Sequence, residues 1–223
     1  MNHALTSAKL DHQPIFGLSA SLSALLSLLL VAVSLQGPTG TGAYLEFFNH
    51  HRATSILTAI LFMTWAVIAI PFLAAVEEML RSGGEVLARA ATLLSSLGIL
   101  LLAFGYFTTT GAFMAISAIA SAPLPSEREY QAAIWRNMGF FLSDPGLMAW
   151  GLGFFLLGML TWNSGVLPRW LGIVAVVGGV AGLLTLAVYQ TPVLALVQVS
   201  CFGVWGFAVG VRIFRNSGRD LRD

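Results

Sequence analysis

Between Leu160 and Gly182 the chain reads LTWNSGVLPRWLGIVAVVGGVAG, which is the end of one apolar helix, a tight turn and most of the next helix. Asn163, Ser164 and Gly165 stop the first helix, and Pro168 suits the first turn of the second. Arg169 is the only charge in the turn, and Trp162 and Trp170 flank it. Indole rings beside a lone cation mark the depth at which two helices surface at one membrane face. The second helix carries Gly178 and Gly182, at a spacing that lets helix backbones come close. A chain built around this unit is constrained to a bundle of antiparallel apolar helices.

Charge decides the solvent. Only 9% of residues are charged and 57% are hydrophobic, whereas ordinary soluble domains carry about 25% charged residues. With a mean hydropathy of +0.83, such a chain would precipitate from water, so lipid must surround it. The formal net charge of +1, with no basic-aromatic patch, excludes nucleic acid as a partner. The partners expected are membrane lipids, another membrane protein or a second copy of the chain. Cys201 is the single cysteine, so no intrachain disulfide forms.

The fold class is all-α, a polytopic transmembrane helical bundle. The apolar runs predict six spans within one domain, at about 15–36, 53–76, 86–109, 145–162, 170–189 and 193–214. Ser19, Ser23 and Ser27 line one face of the first, and Ala88, Thr92 and Ser96 one face of the third. Gly206 and Gly210 give the sixth a similar face. A cleaved leader is the rival reading of the first run, because Ala32-Val33-Ser34 offers a small-residue site; the run is long for a signal core, which favours a span. Pro71 removes a backbone donor inside the second span and predicts a kink. That helix ends in EEMLRSGG, with Gly83 or Gly84 as its cap.

The segment 110–144 is expected to face outward. Apolar character continues past Thr109 to Ala122. One helix from Val86 to Ala122 would measure about 55 Å at about 1.5 Å per residue, well beyond a hydrocarbon core of about 30 Å. Either Thr108-Thr109-Thr110-Gly111 breaks the helix, or the helix projects from the membrane. Ser126 and Glu129 then match a capping box. Tyr130, Ile134, Met138 and Phe141 share a helical face opposite Arg128, Glu129 and Arg136, which predicts an extra amphipathic interfacial helix. Asp144-Pro145 restarts the chain as N-cap and first residue of the fourth span.

Basic residues set the orientation. Lys9, Arg81, Arg89, Arg169, Arg212, Arg215, Arg219 and Arg222 fall on one side of six spans; Arg52, Arg128 and Arg136 fall on the other. This bias predicts both termini in the cytoplasm.

Chemistry is limited by what the spans lack. His3, His12, His50 and His51 all lie outside the apolar cores, which argues against a haem held between histidines in mid-membrane. The only lysine, Lys9, is terminal, so a retinal Schiff base in the bundle is excluded. No Asp or Glu is expected near the middle of a span, where ion-coupling carboxylates would sit. Walker A, GxSxG and HExxH patterns are missing, and no pattern names a cofactor.

Two groups remain. Glu46 and His50 would lie one turn apart on a helix and could share a metal, with His51 about 100° away; polar residues at headgroup level are the plainer reading. Within the spans, Tyr106, Thr185, Tyr189 and Gln198, with Thr64 and Ser200, are polar, and Trp65, Phe107 and Trp205 would wall a ligand cavity. The alternative is interhelical hydrogen bonding worth about 0.6 kcal/mol per bond. Glu77, Glu78, Arg81, Glu85 and Arg89 read as a solvated cluster of pairs worth about 0.5 kcal/mol or less each.

The Ser164-Gly-Val-Leu-Pro-Arg-Trp-Leu-Gly172 element before a glycine-rich helix resembles the DUF4386 family of bacterial integral membrane proteins. The resemblance implies about six spans and a bacterial cytoplasmic (inner) membrane location, and it transfers no activity. The reading is a non-enzymatic membrane component, either an accessory subunit or a bundle that binds lipid or a hydrophobic ligand. A small-solute transporter is the alternative, and a metal-dependent membrane enzyme the third.

Overall fold

A computed structural model of the protein describes residues 13–34, 44–118, 125–187 and 192–217. These form α1 (Gln13–Ser34), α2 (Tyr44–His50), α3 (Arg52–Leu80), α4 (Glu85–Ala118), α5 (Pro125–Ser164), α6 (Arg169–Ala187) and α7 (Pro192–Ser217), with no strand among them. A 3-10 turn, Arg81–Gly83, joins α3 to α4. Gly84 (φ 145°) and Gly165 (φ 65°) make the two tight corners in backbone conformations that favour glycine. Lys9, the 37–42 loop, Tyr189 and Arg219 with Arg222 lie outside the described residues.

Among the described residues, four stretches are long and apolar enough to cross a membrane: Arg52–Gly83, Glu85–Ala118, Glu127–Ser164 and Val193–Ile213. Gly17–Ser27 and Arg169–Thr185 are shorter apolar stretches. Over their described residues the six expected runs are helical, and four of them lie in stretches of spanning length. Pro71 lies inside α3 on an exposed face, and the helix runs on to Leu80.

Six helices pack as a closed ring: α1 on α3, α3 on α4, α4 on α5, α5 on α6, α6 on α7, and α7 back on α1. α4 and α5 approach to backbone contact. Ala91, Gly98 and Gly105 of α4 face Gly153, Gly146 and Gly139 of α5. A methyl on Gly146 would lie 2.8 Å from the Gly98 carbonyl oxygen, and one on Gly153 would lie 2.6 Å from that of Ala91. α5 then meets α6 through Gly151 and Gly158 against Gly179 and Gly172; a methyl on Gly158 would lie 2.8 Å from the Gly172 carbonyl oxygen. On both contacts the small residues recur every seventh position. A seven-residue period samples the helix at about 3.5 residues per turn, so it keeps one face turned to an antiparallel neighbour along a shallow left-handed crossing.

α4 and α5 are much longer than α6, at about 51, 60 and 29 Å at about 1.5 Å per residue. Given the Gly151–Gly179 register, the first half of α5 runs beyond the end of α6. It pairs with the last turns of α4 to form a projecting arm. The short α2 closes the arm in a small second core: Leu45 and Phe48 of α2 pack on Phe113 and Ile116 of α4 and Ala132 of α5. Phe48 and Phe113 meet edge to face at 5.6 Å.

The arm resolves one open alternative and corrects one expectation. Thr108 to Gly111 does not break α4. The Thr108 and Thr109 hydroxyls donate to the Phe104 and Gly105 carbonyls at 2.8 and 2.9 Å, so the threonines keep their polar groups within the helix. The amphipathic helix expected over 126–141 is present but is not separate: it continues through Asp144 and Pro145 into the fourth span as one helix, α5. Tertiary packing carries it across. Ser143 is buried against Gly105, and Gly139 and Gly146 are clamped to α4 on either side of the proline. Asp144 is therefore inside a helix, not at its cap.

Candidate functional site

The centre of the ring is filled by aromatic side chains. Trp65 and Phe72 of α3, Trp150 and Phe154 of α5, and Phe202 and Trp205 of α7 are all fully buried. Phe202 is the hub, with ring centroids 5.3 Å from Trp150, 5.4 Å from Phe154, 5.9 Å from Trp65 and 6.1 Å from Phe72. Most of these pairs are edge to face, the arrangement worth about 0.5–1.5 kcal/mol beyond burial. The three buried indole N–H groups have no oxygen acceptor among the described residues. Edge-on contacts such as Trp65–Trp150 at 5.2 Å and Phe154–Trp205 at 5.4 Å present ring faces to ring edges instead.

The residues expected around a cavity divide between this centre and its rim. Trp65 and Trp205 belong to the centre. Gln198 is fully buried, and its Nε2 donates to the Leu147 carbonyl at 3.2 Å. Its amide also lies against Gly182, where a methyl would come within 2.6 Å, so Gln198 ties α7 to both α5 and α6. The Thr185 hydroxyl donates to the Ala181 carbonyl in its own helix at 3.0 Å, and that of Thr64 to Ile60 at 2.8 Å. Tyr106 is at the edge, partly exposed and stacked on Phe62 at 4.2 Å. Sequence reasoning missed Trp150, Phe154, Phe202 and Phe72. The signal present was paired rings three or four residues apart on α5 and α7.

The second locus is on the arm. Leu45, Glu46, Asn49 and His50 of α2 and Arg128 and Glu129 of α5 line an open pocket of about 260 Å³. The structure thus places the expected Glu46–His50 pair on one pocket wall. His50 Nδ1 lies 2.9 Å from the Glu46 carbonyl. A carbonyl only accepts, so Nδ1 is the donor in this contact. His51 turns away: its Nδ1 reaches the Phe47 carbonyl at 3.2 Å and its ring stacks on Phe47 at 4.3 Å. Asn49 Oδ1 accepts from the Ser117 hydroxyl at 2.8 Å, which ties α2 to α4. No group of three His, Cys, Asp or Glu side chains that could hold a metal ion occurs among the described residues. The pocket wall carries two carboxylates, Glu46 and Glu129, and one guanidinium, Arg128.

At the opposite end of the bundle, Arg81 lies 3.2 Å from Glu78, 3.9 Å from Glu77 and 4.0 Å from Glu85. All of these are near neighbours on exposed or half-exposed helix ends, so the cluster is worth little.

A closed ring of apolar helices around an aromatic centre defines an all-helical protein of membrane type. The chain belongs to the family described as a domain of unknown function (DUF4386), which it matches over residues 17–214. No curated protein and no solved structure matches it.

Proposed function

We propose that the protein is a non-enzymatic component of the bacterial cytoplasmic membrane, multi-pass with both termini cytoplasmic, serving as an accessory subunit or a lipid-binding bundle. The observation that carries this reading is the filled centre. Three alternate helices of the ring spend their inward positions on large aromatic rings, and Gln198 beside them donates to the Leu147 carbonyl. Transport needs a path with groups that a solute can exchange for its water; this centre supports rigid packing instead. The outer surface fits the same reading, since Leu18, Leu57, Leu93, Ile173 and Phe207 all face outward from the ring. These residues suit contact with acyl chains.

Purification in mild detergent followed by native mass spectrometry tests the proposal. Bound lipid or a protein partner that survives purification supports it. Bare monomers that carry a solute into proteoliposomes would replace it with the transporter reading.

A further inference from the structure

α5 presents one outward apolar ridge along almost its whole length. Tyr130, Ile134, Met138 and Phe141 of the arm are 70, 42, 53 and 81% exposed. Stepping by three and four residues, the same line continues to the exposed Leu152 and Met159 of the ring. At about 100° per residue this ridge lies opposite the Gly139–Gly146–Gly153 face that grips α4. The two helices of the arm differ. On α4 the bulky outward residues end at Phe107, and Thr108 to Thr110 and the exposed Gly111 follow. In the Gly105–Gly139 register, Phe107 is level with residue 137 of α5. The α5 ridge therefore overshoots the last bulky residue of α4 by about two turns, or about 10 Å. That is close to the depth of a bilayer's headgroup layer.

We propose that Tyr130, Ile134, Met138 and Phe141 anchor the arm in the headgroup and upper acyl region of the bilayer, on the side where α2 lies. The inference rests on the membrane reading above and goes beyond it by assigning the arm's apolar face to lipid. Continuity favours lipid over a second copy of the chain: the ridge is an extension of the line that the membrane reading already puts against acyl chains. Its shape favours lipid too. It is narrow, and exposed Gln131 and Asn137 border it, whereas a stable protein interface buries about 800 Å² per partner. Its neighbours suit the headgroup layer. The Arg136 guanidinium sits 4.6 Å over the Phe140 ring, and Trp135 is partly exposed beside it. The anchor would hold the pocket at Glu46 and Arg128 beside lipid headgroups.

The test is nitroxide accessibility in vesicles of phosphatidylethanolamine and phosphatidylglycerol. Single cysteines Ile134→Cys, Met138→Cys, Leu152→Cys and Asn163→Cys are introduced one at a time into Cys201→Ala protein, Asn163 being exposed in the last turn of α5 at the other end of the bundle. The anchor predicts that labels at 134 and 138 are relaxed severalfold more by oxygen than by a water-soluble nickel chelate, at shallower depth than the label at 152. The label at 163 should show the reverse preference. Nickel access at 134 and 138 equal to that at 163, with 152 still in lipid, overturns the anchor and leaves the membrane reading intact. Dipolar broadening at 134 and 138 with access to neither reagent overturns it in favour of a second copy. Nickel access at 152 removes the membrane reading itself.

Discussion

Gly98 and Gly146 bring α4 and α5 into backbone contact, with only 2.8 Å between a methyl built on Gly146 and the Gly98 carbonyl oxygen. A side chain at either position must force the helices apart, because what it meets is main chain and not the tip of a flexible side chain. Gly98→Leu should lower stability in detergent by about 1–3 kcal/mol, as overpacking does. Gly111→Ala, on the same helix where nothing lies within 4 Å, should be neutral or stabilising by up to about 1 kcal/mol, because it removes a helix-weakening glycine. Thermal unfolding of the two variants side by side checks the contrast.

Phe202 is the ring shared by most of the aromatic pairs. Truncation of a fully buried aromatic costs about 3–5 kcal/mol, so Phe202→Ala should unfold or strongly destabilise the bundle. Phe207, on the same helix but half exposed, should tolerate alanine with a change within about 0.5 kcal/mol. Equal losses for both would mean that the centre is not packed as described.

Gln198 and Gly182 should be energetically coupled. Gly182→Ala pushes against the Gln198 amide, whereas in a Gln198→Ala background the same methyl meets empty space. A double-mutant cycle should give a coupling of about 0.5–3 kcal/mol, read from chemical denaturation of the four proteins. Additive effects would show that the two side-chain positions do not touch.

Arg81 has three acidic neighbours within 4.0 Å, yet the group is exposed. Arg81→Ala should change stability by less than about 1 kcal/mol. A larger loss at low and high salt alike would show that the cluster holds α3 to α4.

Much of this architecture was legible in the sequence. Apolar run length marked the six long helices but not the separate α2, and the Gly165 corner followed from the Asn-Ser-Gly stop before Pro168. Two features were hidden for physical reasons. Asp-Pro normally starts a helix, so Pro145 read as a boundary; only the clamp of Gly139, Ser143 and Gly146 on α4 shows why α5 passes through it. The aromatic centre depends on which helices are neighbours in the ring. No local pattern tells that Phe202 meets Trp65 and Trp150, which lie far from it in the chain. Of the expected sites, the Glu46–His50 pair was visible from its spacing, but Arg128 and Glu129 reach that pocket only because the arm folds back on α2.

The central claim is that the ring spans a bilayer with the α2 end outside and the Arg169 turn inside. The most direct measurement is labelling of intact cells with a membrane-impermeant maleimide, using His51→Cys and Asn163→Cys in Cys201→Ala protein. The account predicts that the cysteine at 51 is labelled at once and the one at 163 only after permeabilisation. Labelling of both from the same side would contradict it.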